Sequence, residues 1–490
     1  MSRQSEFGGV RGQLFLHSAQ VKEGIVSNKE LFAWFESRCK ANTFEVNKLP
    51  LTDLKEWHFE PNTGNIVHKS GKFFRIEGIE VRTNFGYTPC WMQPIINQPE
   101  IGILGFLAKK INGALHFLMQ AKMEPGNVNM VQLSPTVQAT RSIYTQAHGG
   151  KRPLYLDYFL DRSMSRFLVD QLQSEQGARF LRKRNRNMIV QVSDGESVED
   201  HEDFCWLTLG QLFELLKLDN IVNMDSRTVL SCIQFAGHDT VLYPSFLTRG
   251  LDDFCEEVCL SSLADEKMAI NDFDSIISWL TYMKTRYDLH VRRVPLNQLK
   301  GWVCDGTEIR HHDGRFFSVI GVSVAASNRE VQSWEQPLIE SAKGGILCFI
   351  CQKKNSILHF LVQARVEPGN LDCLEMAPTL QCTPSNYDQD KPELWPPFYD
   401  LVINSSGSNI RYSAMQSEEG GRFYHDQNRY LIIEVDSNQE LVLPENYIWM
   451  TIRQMKEFIR FNNYFNIEAR GLLSCLGIKI PNTNKKGDLQ

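Results

Sequence analysis

LHFLMQAKMEPGN, residues 115–127, returns as LHFLVQARVEPGN at residues 358–370. Setting residue i against residue i+243 aligns 115–140 with 358–383, and 14 of those 26 positions are identical. Unrelated sequences would match at roughly one or two, so the chain is one unit written twice. The register extends outward in both directions. Trp91-x-Gln93-Pro94 meets Trp334-x-Gln336-Pro337, QSEQGARF (173–180) meets QSEEGGRF (416–423), and WLTLGQL (206–212) meets WMTIRQM (449–455). Arg186 meets Arg429, and nearer the start the offset becomes 245, where LPLTDLKEW (49–57) meets VPLNQLKGW (294–302). This spacing predicts a leading segment 1–27, a first copy 28–233, a connector 234–270, a second copy 271–480 and a polar tail 481–490.

Within a copy the patterns predict a mixed α+β unit with a largely antiparallel sheet flanked by helices. Ser27-x-x-Glu30 reads as a capping box, as do Thr208-x-x-Gln211 and Thr451-x-x-Gln454. KFFRIEGIEV, GILGFLAK and ALHFLMQAKM read as strands, the last two joined by an Asn112-Gly113 hairpin turn. Side chains alternate across a strand. Leu115, Phe117, Met119, Ala121 and Met123 therefore share one face, and His116, Leu118, Gln120, Lys122 and Glu124 the other. The second copy keeps the polar row as His359, Leu361, Gln363, Arg365 and Glu367. Thr136, Gln138 and Thr140 recur as Thr379, Gln381 and Thr383. Solvent-facing residues usually drift after duplication, so these rows are expected to line a polar floor for a ligand. The competing reading is a buried network that only joins strands.

Composition bounds the function classes. The chain has 490 residues, 42% hydrophobic, and a net charge of −6, which gives no case for a nucleic-acid partner. No apolar run reaches about 18 residues, so no membrane span is expected, and the first residues lack a signal-like apolar segment. A cytoplasmic protein is the default. The 12 cysteines are scattered in apolar surroundings and read as reduced core residues. Cys348 and Cys351 form a lone CxxC with no second pair or histidine cluster, so no metal site is expected.

Individual motifs carry chemistry and bland alternatives together. Glu-Pro-Gly-Asn is a turn, with Pro setting φ and Gly accepting positive φ. Glu124 at its head is either a base or a turn cap. Arg179 and Arg186, repeated as Arg422 and Arg429, persist in a basic run whose other residues change. Guanidinium forks suit a diphosphate, while a solvated face is the usual alternative. Trp91 and Trp334 suit the core or a stacking role. Tyr144 and Tyr387 follow the polar strands. Only the first copy has His148-Gly149-Gly150-Lys151-Arg152. Phosphate cradles of the GxxxxGK[ST] and GxGxxG kinds are absent.

These motifs resemble those of the sugar-nucleotide 2,3-dehydratases. The resemblance is carried by the PTxQxT strands, EPGN, SxxTxxHGG, QLQSEQGxRFLRKRNRN and SEEGGRFYHxxNRY, and covers nearly the whole chain. It implies tandem Nudix-like domains, a homodimer and a dTDP-linked 4-keto-6-deoxyhexose substrate. It also implies loss of the C2 hydroxyl to give a 3,4-diketo-2,6-dideoxy sugar, which a 3-ketoreductase would then consume. No cofactor is implied. The Nudix box Gx5Ex7REx2EE is not found, which weighs against metal-assisted diphosphate hydrolysis. Tyr144 or His148 would be acid or base, with Glu124 or Glu175 as rival bases. Gln120, Lys122, Thr136, Gln138 and Thr140 would bind sugar, Arg179 and Arg186 diphosphate, and Trp91 the base or sugar. The second pocket would use Trp334, Gln363, Arg365, Thr379, Gln381, Thr383, Tyr387, Arg422 and Arg429. The HGGKR segment favours the first copy. The rival functions are a non-catalytic nucleotide-sugar sensor, a nucleotide-sugar hydrolase and a purely structural repeat.

Overall fold

The structure is a computed structural model that describes residues 2–41, 43–140, 152–236, 253–327 and 331–480. It is α+β with mixed sheets. One seven-stranded sheet belongs wholly to the first copy and runs Arg166–Ser174, Arg184–Gln191, Gly102–Ile111, Ala114–Met123, Phe204–Leu207, with Val131–Ser134 and Val137–Ala139 branching from it. Arg184–Gln191 lies parallel to Gly102–Ile111, and the other neighbours are antiparallel. The second copy repeats this sheet from Ile410–Ser417 to Tyr447–Met450.

The local signals are realised as chemistry predicts. Asn112 and Gly113 adopt φ of 51° and 87°, the left-handed pair a tight hairpin requires. The second copy makes the same turn with Asn355 and Ser356. Thr208 and Thr451 each cap a helix through the reciprocal box with Gln211 and Gln454. Cys348 and Cys351 are fully buried, and burial pushes both thiols up, as suits inert core residues.

Two five-stranded sheets are shared between the copies. Strand Phe44–Leu49 of the first copy pairs with Phe317–Ala326 of the second, and Leu289–Val294 of the second pairs with Arg75–Thr83 of the first. The tryptophans that follow these strands also cross over. Trp57 Nε1 donates to Glu335 O at 2.8 Å and Trp302 Nε1 to Met92 O at 2.7 Å. Phe74, Ile96, Phe180, Phe317, Ile339 and Phe423 close one apolar cluster from both copies. Each copy thus leaves sheet edges and apolar surface that only the other covers.

Helices Ser2–Gln20 and Phe254–Leu263 lie in the leading segment and the connector of the sequence reading, yet they sit equivalently. Ser18 Oγ donates to Leu115 O at 2.6 Å and accepts from Leu209 N at 3.0 Å. Ser261 Oγ does the same with Leu358 O at 2.7 Å and Ile452 N at 3.0 Å. The structural repeat therefore begins before its recognisable sequence identity.

Helices Met224–Ser231 and Ile467–Ser474 are buried throughout and pack on one another between the copies. Each carries a fully buried arginine. Arg227 donates to Val222 O at 2.6 Å, to Gln416 Oε1 at 3.2 Å and to Ser417 O. Arg470 donates to Phe465 O and Ser174 O, both at 2.5 Å. A guanidinium with five donors suits this task, because each fork holds its own helix start and the other copy's strand end.

Candidate active site

Strand Ala114–Met123 delivers Lys122 and Glu124 to one face, two residues apart. Lys122 Nζ donates to Gln138 Oε1 at 2.8 Å and lies 3.4 Å from Glu124 Oε1. Gln138 Nε2 donates to Glu124 Oε1 at 2.9 Å, and Ser134 Oγ donates to Gln138 Oε1 at 3.0 Å. Glu124 is 4% exposed, and its Oε2 finds no partner among the described residues.

The second copy builds the counterpart. Arg365 Nε donates to Glu367 Oε1 at 3.1 Å and Gln381 Nε2 to the same oxygen at 2.9 Å, and Glu367 Oε2 has no partner among the described residues. Gln381 Oε1 is taken by Asn466 Nδ2 at 2.9 Å.

Each group is completed by the other copy. Gly126 N donates to Gly420 O at 2.7 Å, and His425 N donates to Gly126 O at 2.8 Å. In return Gly369 N donates to Gly177 O at 2.6 Å, and Arg182 N donates to Gly369 O at 2.8 Å. The EPGN glycines do not adopt the positive φ that the turn reading predicts. They are required because a Cβ on Gly126 would lie 1.5 Å from Phe423 O, and one on Gly369 1.8 Å from Phe180 O.

This crossing redistributes the predicted arginines. Burial lowers the Arg422 pKa, and the carboxylates opposing it are Glu419, Glu124, Glu175 and Asp225. Arg179 is lowered by burial against Asp426, Glu367, Glu468 and Glu418. The carboxylates around Arg422 are thus mostly the first copy's and those around Arg179 the second's, whereas the sequence reading grouped each arginine with its own copy. Each guanidinium stacks 4.2 Å from a ring of the opposite copy, Arg422 on Phe74 and Arg179 on Phe317. Arg186 forks onto Asp170 at 2.6 and 2.8 Å, and Arg429 is exposed beside Ser413.

The remaining candidates divide between site and scaffold. Thr136 Oγ1 accepts from Leu107 N at 2.8 Å and donates to Leu118 O, while Thr379 repeats this with Ile350 N at 2.9 Å and Leu361 O. These threonines join strands, as the bland reading held. His116 and His359 also belong to the scaffold. Each ring Nδ1 lies 3.0 Å from a backbone carbonyl, and Nε2 accepts from Ile25 N at 3.3 Å or Ile270 N at 3.2 Å. Burial lowers both histidines, His359 to about 4.

Gln120 faces Ser134 and Phe204 across its neighbouring strands, and Gln363 faces Ala377 and Tyr447. Thr140 and Thr383 are half-buried just beyond their strands. Trp91 Nε1 donates to Gln93 Oε1 at 2.8 Å, whose amide donates to Ala178 O at 2.9 Å. Trp334 and Gln336 hold Gly421 O in the same way, at 2.9 and 2.7 Å. These indoles thus anchor the loops that carry Arg179 and Arg422. Tyr387 lies 5.5 Å from Trp395, and burial raises its hydroxyl pKa against Arg365. Tyr144 and His148 lie outside the described residues.

Glu175 is buried, and burial together with Glu419 raises its carboxyl, opposed by Lys183. Asp225, in the first turn of Met224–Ser231, is raised well above the usual range by burial and by Glu419, Glu175 and Glu124. Sequence reading missed Asp225, Glu419 and the two buried arginines. Their available signal was the recurrence of Asp225/Glu468 and Arg227/Arg470 at the repeat offset, inside helices that otherwise read as apolar.

The arrangement, a cluster of carboxylates interleaved with amines and guanidinium groups, suits proton transfer and oxyanion stabilisation. Comparison with known proteins agrees with that chemistry. The profile of the NDP-hexose 2,3-dehydratase family matches residues 28–233 and 273–476. A dTDP-4-dehydro-6-deoxy-alpha-D-glucopyranose 2,3-dehydratase of Saccharopolyspora spinosa is 48% identical over 97% of this chain and 96% of its own. Proteins of the same name from Amycolatopsis orientalis and Streptomyces violaceoruber are 46% and 42% identical, over 94% and 92% of this chain and 92% and 97% of theirs. Matched in both copies and along nearly its full length, the chain belongs to the NDP-hexose 2,3-dehydratase family.

Proposed function

We propose that this enzyme dehydrates a dTDP-linked 4-keto-6-deoxyhexose at C2 and C3, and that the working site is the first copy's group. The observation that carries this is the Glu124 carboxylate. It is buried, held through Oε1 by Gln138, has the Lys122 amine beside it where Glu367 has a guanidinium, and has no partner at Oε2 among the described residues. The names of the relatives support the substrate class.

The C4 ketone acidifies C3–H. Glu124 takes that proton, and negative charge develops on O4 of the enolate, where the Lys122 ammonium lowers its energy. The enolate collapses, C4=O reforms, a C2=C3 bond forms, and the C2 oxygen leaves as water with a proton from a general acid. The resulting C3 enol gains a proton at C2 and loses one from O3, giving the 3,4-diketone. Neither the abstraction nor the elimination changes the net oxidation state of the sugar, so residues that bind, orient and move protons suffice. Arg422, stacked on Phe74, is our candidate for the diphosphate in this site, with Gln120 and Thr140 toward the sugar.

We read each copy as a Nudix-like unit and the protein as a cytoplasmic homodimer whose product a 3-ketoreductase consumes. No helix among the described residues is long and apolar enough to cross a membrane. Incubation with dTDP-4-keto-6-deoxyglucose and mass detection tests the proposal. Loss of one water is expected. Release of sugar phosphate would indicate a hydrolase, and binding without change a sensor; either sinks the reading.

A further inference from the structure

We infer that Glu419, a residue of the second copy, is the general acid of the first copy's site, protonating the departing C2 oxygen while Glu124 takes the C3 proton. This rests on the dehydratase reading above.

The geometry that carries it is the crossing loop. Gly420 is pinned to the EPGN turn by the Gly126 N–H, and a Cβ on Gly420 would lie 2.9 Å from Glu124 Cβ. The residue before it, Glu419, therefore stands on the loop that packs against Glu124. Its flanking residues Glu418 and Gly420 are buried, whereas Glu419 keeps partial exposure. One of its oxygens, Oε1, accepts from Gly421 N at 2.9 Å, which fixes the carboxyl on its own loop. Glu124 itself is nine-tenths buried with an open oxygen.

The other half of the molecule supplies the contrast. The position matching Glu419 is Gln176, 4% exposed, whose amide donates to Glu418 and to Met224 Sδ at 3.3 Å. An amide releases no proton, so the second copy's group lacks this function. Two carboxylates around one site divide the roles, because both cannot ionise at low cost. Burial and the Glu124 charge hold Glu419 above the ordinary carboxylate range, while Arg422, the Gly421 N–H and Lys122 oppose them. Glu175 and Asp225, buried in the same cluster, are raised as well. Glu124, whose Oε1 lies 3.4 Å from Lys122 Nζ, takes the role of the base.

Protons balance over the cycle. Glu124 gains one from C3 and Glu419 loses one to the leaving oxygen, which departs with the C2–O electron pair as water. In the tautomerisation Glu124 returns a proton to C2 and Glu419 recovers one from O3–H.

Glu419→Gln gives the loop the composition that the other copy already tolerates. With dTDP-4-keto-6-deoxyglucose in D2O, we expect water loss to fall by about 10²–10⁴-fold. Deuterium exchange at C3 should persist, and dTDP affinity should stay within about twofold of the wild type, since only proton donation is removed. Glu419→Asp, which keeps an ionisable proton, should recover part of the elimination. Water loss at the wild-type rate in Glu419→Gln overturns the inference. So does a parallel fall of exchange and elimination, or loss of dTDP binding in both variants, which would make Glu419 a structural residue. A wild-type enzyme that releases no water from this substrate overturns the functional reading, and this inference with it.

Discussion

The Lys122–Gln138–Glu124 group and the Arg365–Gln381–Glu367 group occupy the same place in two copies of one fold. The amide-to-carboxylate bond is the same in both, at 2.9 Å, and in both it leaves the second carboxylate oxygen open. What differs is capacity to move protons. Lys122 stands where the second copy has Arg365, whose guanidinium stays charged. Ser134 stands where it has Ala377, and the crossing residue is Glu419 on one side and Gln176 on the other. Gln138 Oε1 is held by Lys122 and Ser134, whereas Gln381 Oε1 is held by Asn466. Duplication preserved the part that aims the carboxylate and let the part that handles protons diverge. That pattern fits one working site and one that has kept its architecture.

The sharpest way to break this comparison is to neutralise the matched carboxylates. Glu124→Gln should lower kcat about 10³-fold in the water-loss assay, and Glu367→Gln should leave it within about twofold. Equal losses would mean that both groups work, and the reverse order would move the site to the second copy. A second test addresses what the copies share. Arg227→Met and Arg470→Met should each cost about 3–5 kcal/mol, because either leaves buried carbonyls of both copies without a charged donor. Urea unfolding reads this, and a large inequality would show that the two crossing locks are not equivalent. The smallest effect should come from the helix caps. Thr208→Ala and Thr451→Ala should each cost about 1 kcal/mol by thermal or urea unfolding, the same in both copies.

Much of the local structure was legible because it rests on short-range rules. The Asn112-Gly113 turn, the capping boxes at Thr208 and Thr451 and the strand at 114–123 all follow from residue type and spacing. The polar row on that strand was legible only in part. Its survival in both copies was read as exposure to a ligand, but Thr136 and His116 survive because they satisfy backbone groups where strands and loops meet. Gln138 and Glu124 survive beside them joined to each other, with Lys122 replaced by Arg365, and residue identity alone does not separate the two arrangements. The EPGN glycines show the same limit. A turn explains a glycine from sequence, but the contact that requires it here comes from residues of the other copy, far away in the chain.

By itself the sequence determined the duplication and the turns, caps and central strands of each copy, for which internal identity, turn chemistry and periodicity suffice, since each is a property of neighbouring residues or of matched words. The resemblance of its motifs pointed to the enzyme family, which the full-length matches show. Only the tertiary structure decided which residues share a site. Strands Phe44–Leu49 and Leu289–Val294 are exchanged, the glycine loops interlock, and the loop that carries Glu419 and Arg422 packs against the first copy's EPGN turn. Two identical surfaces with unpaired edges are satisfied equally well by their own copy's residues or by the other's. The choice between them is made by packing across the molecule, which no local pattern records.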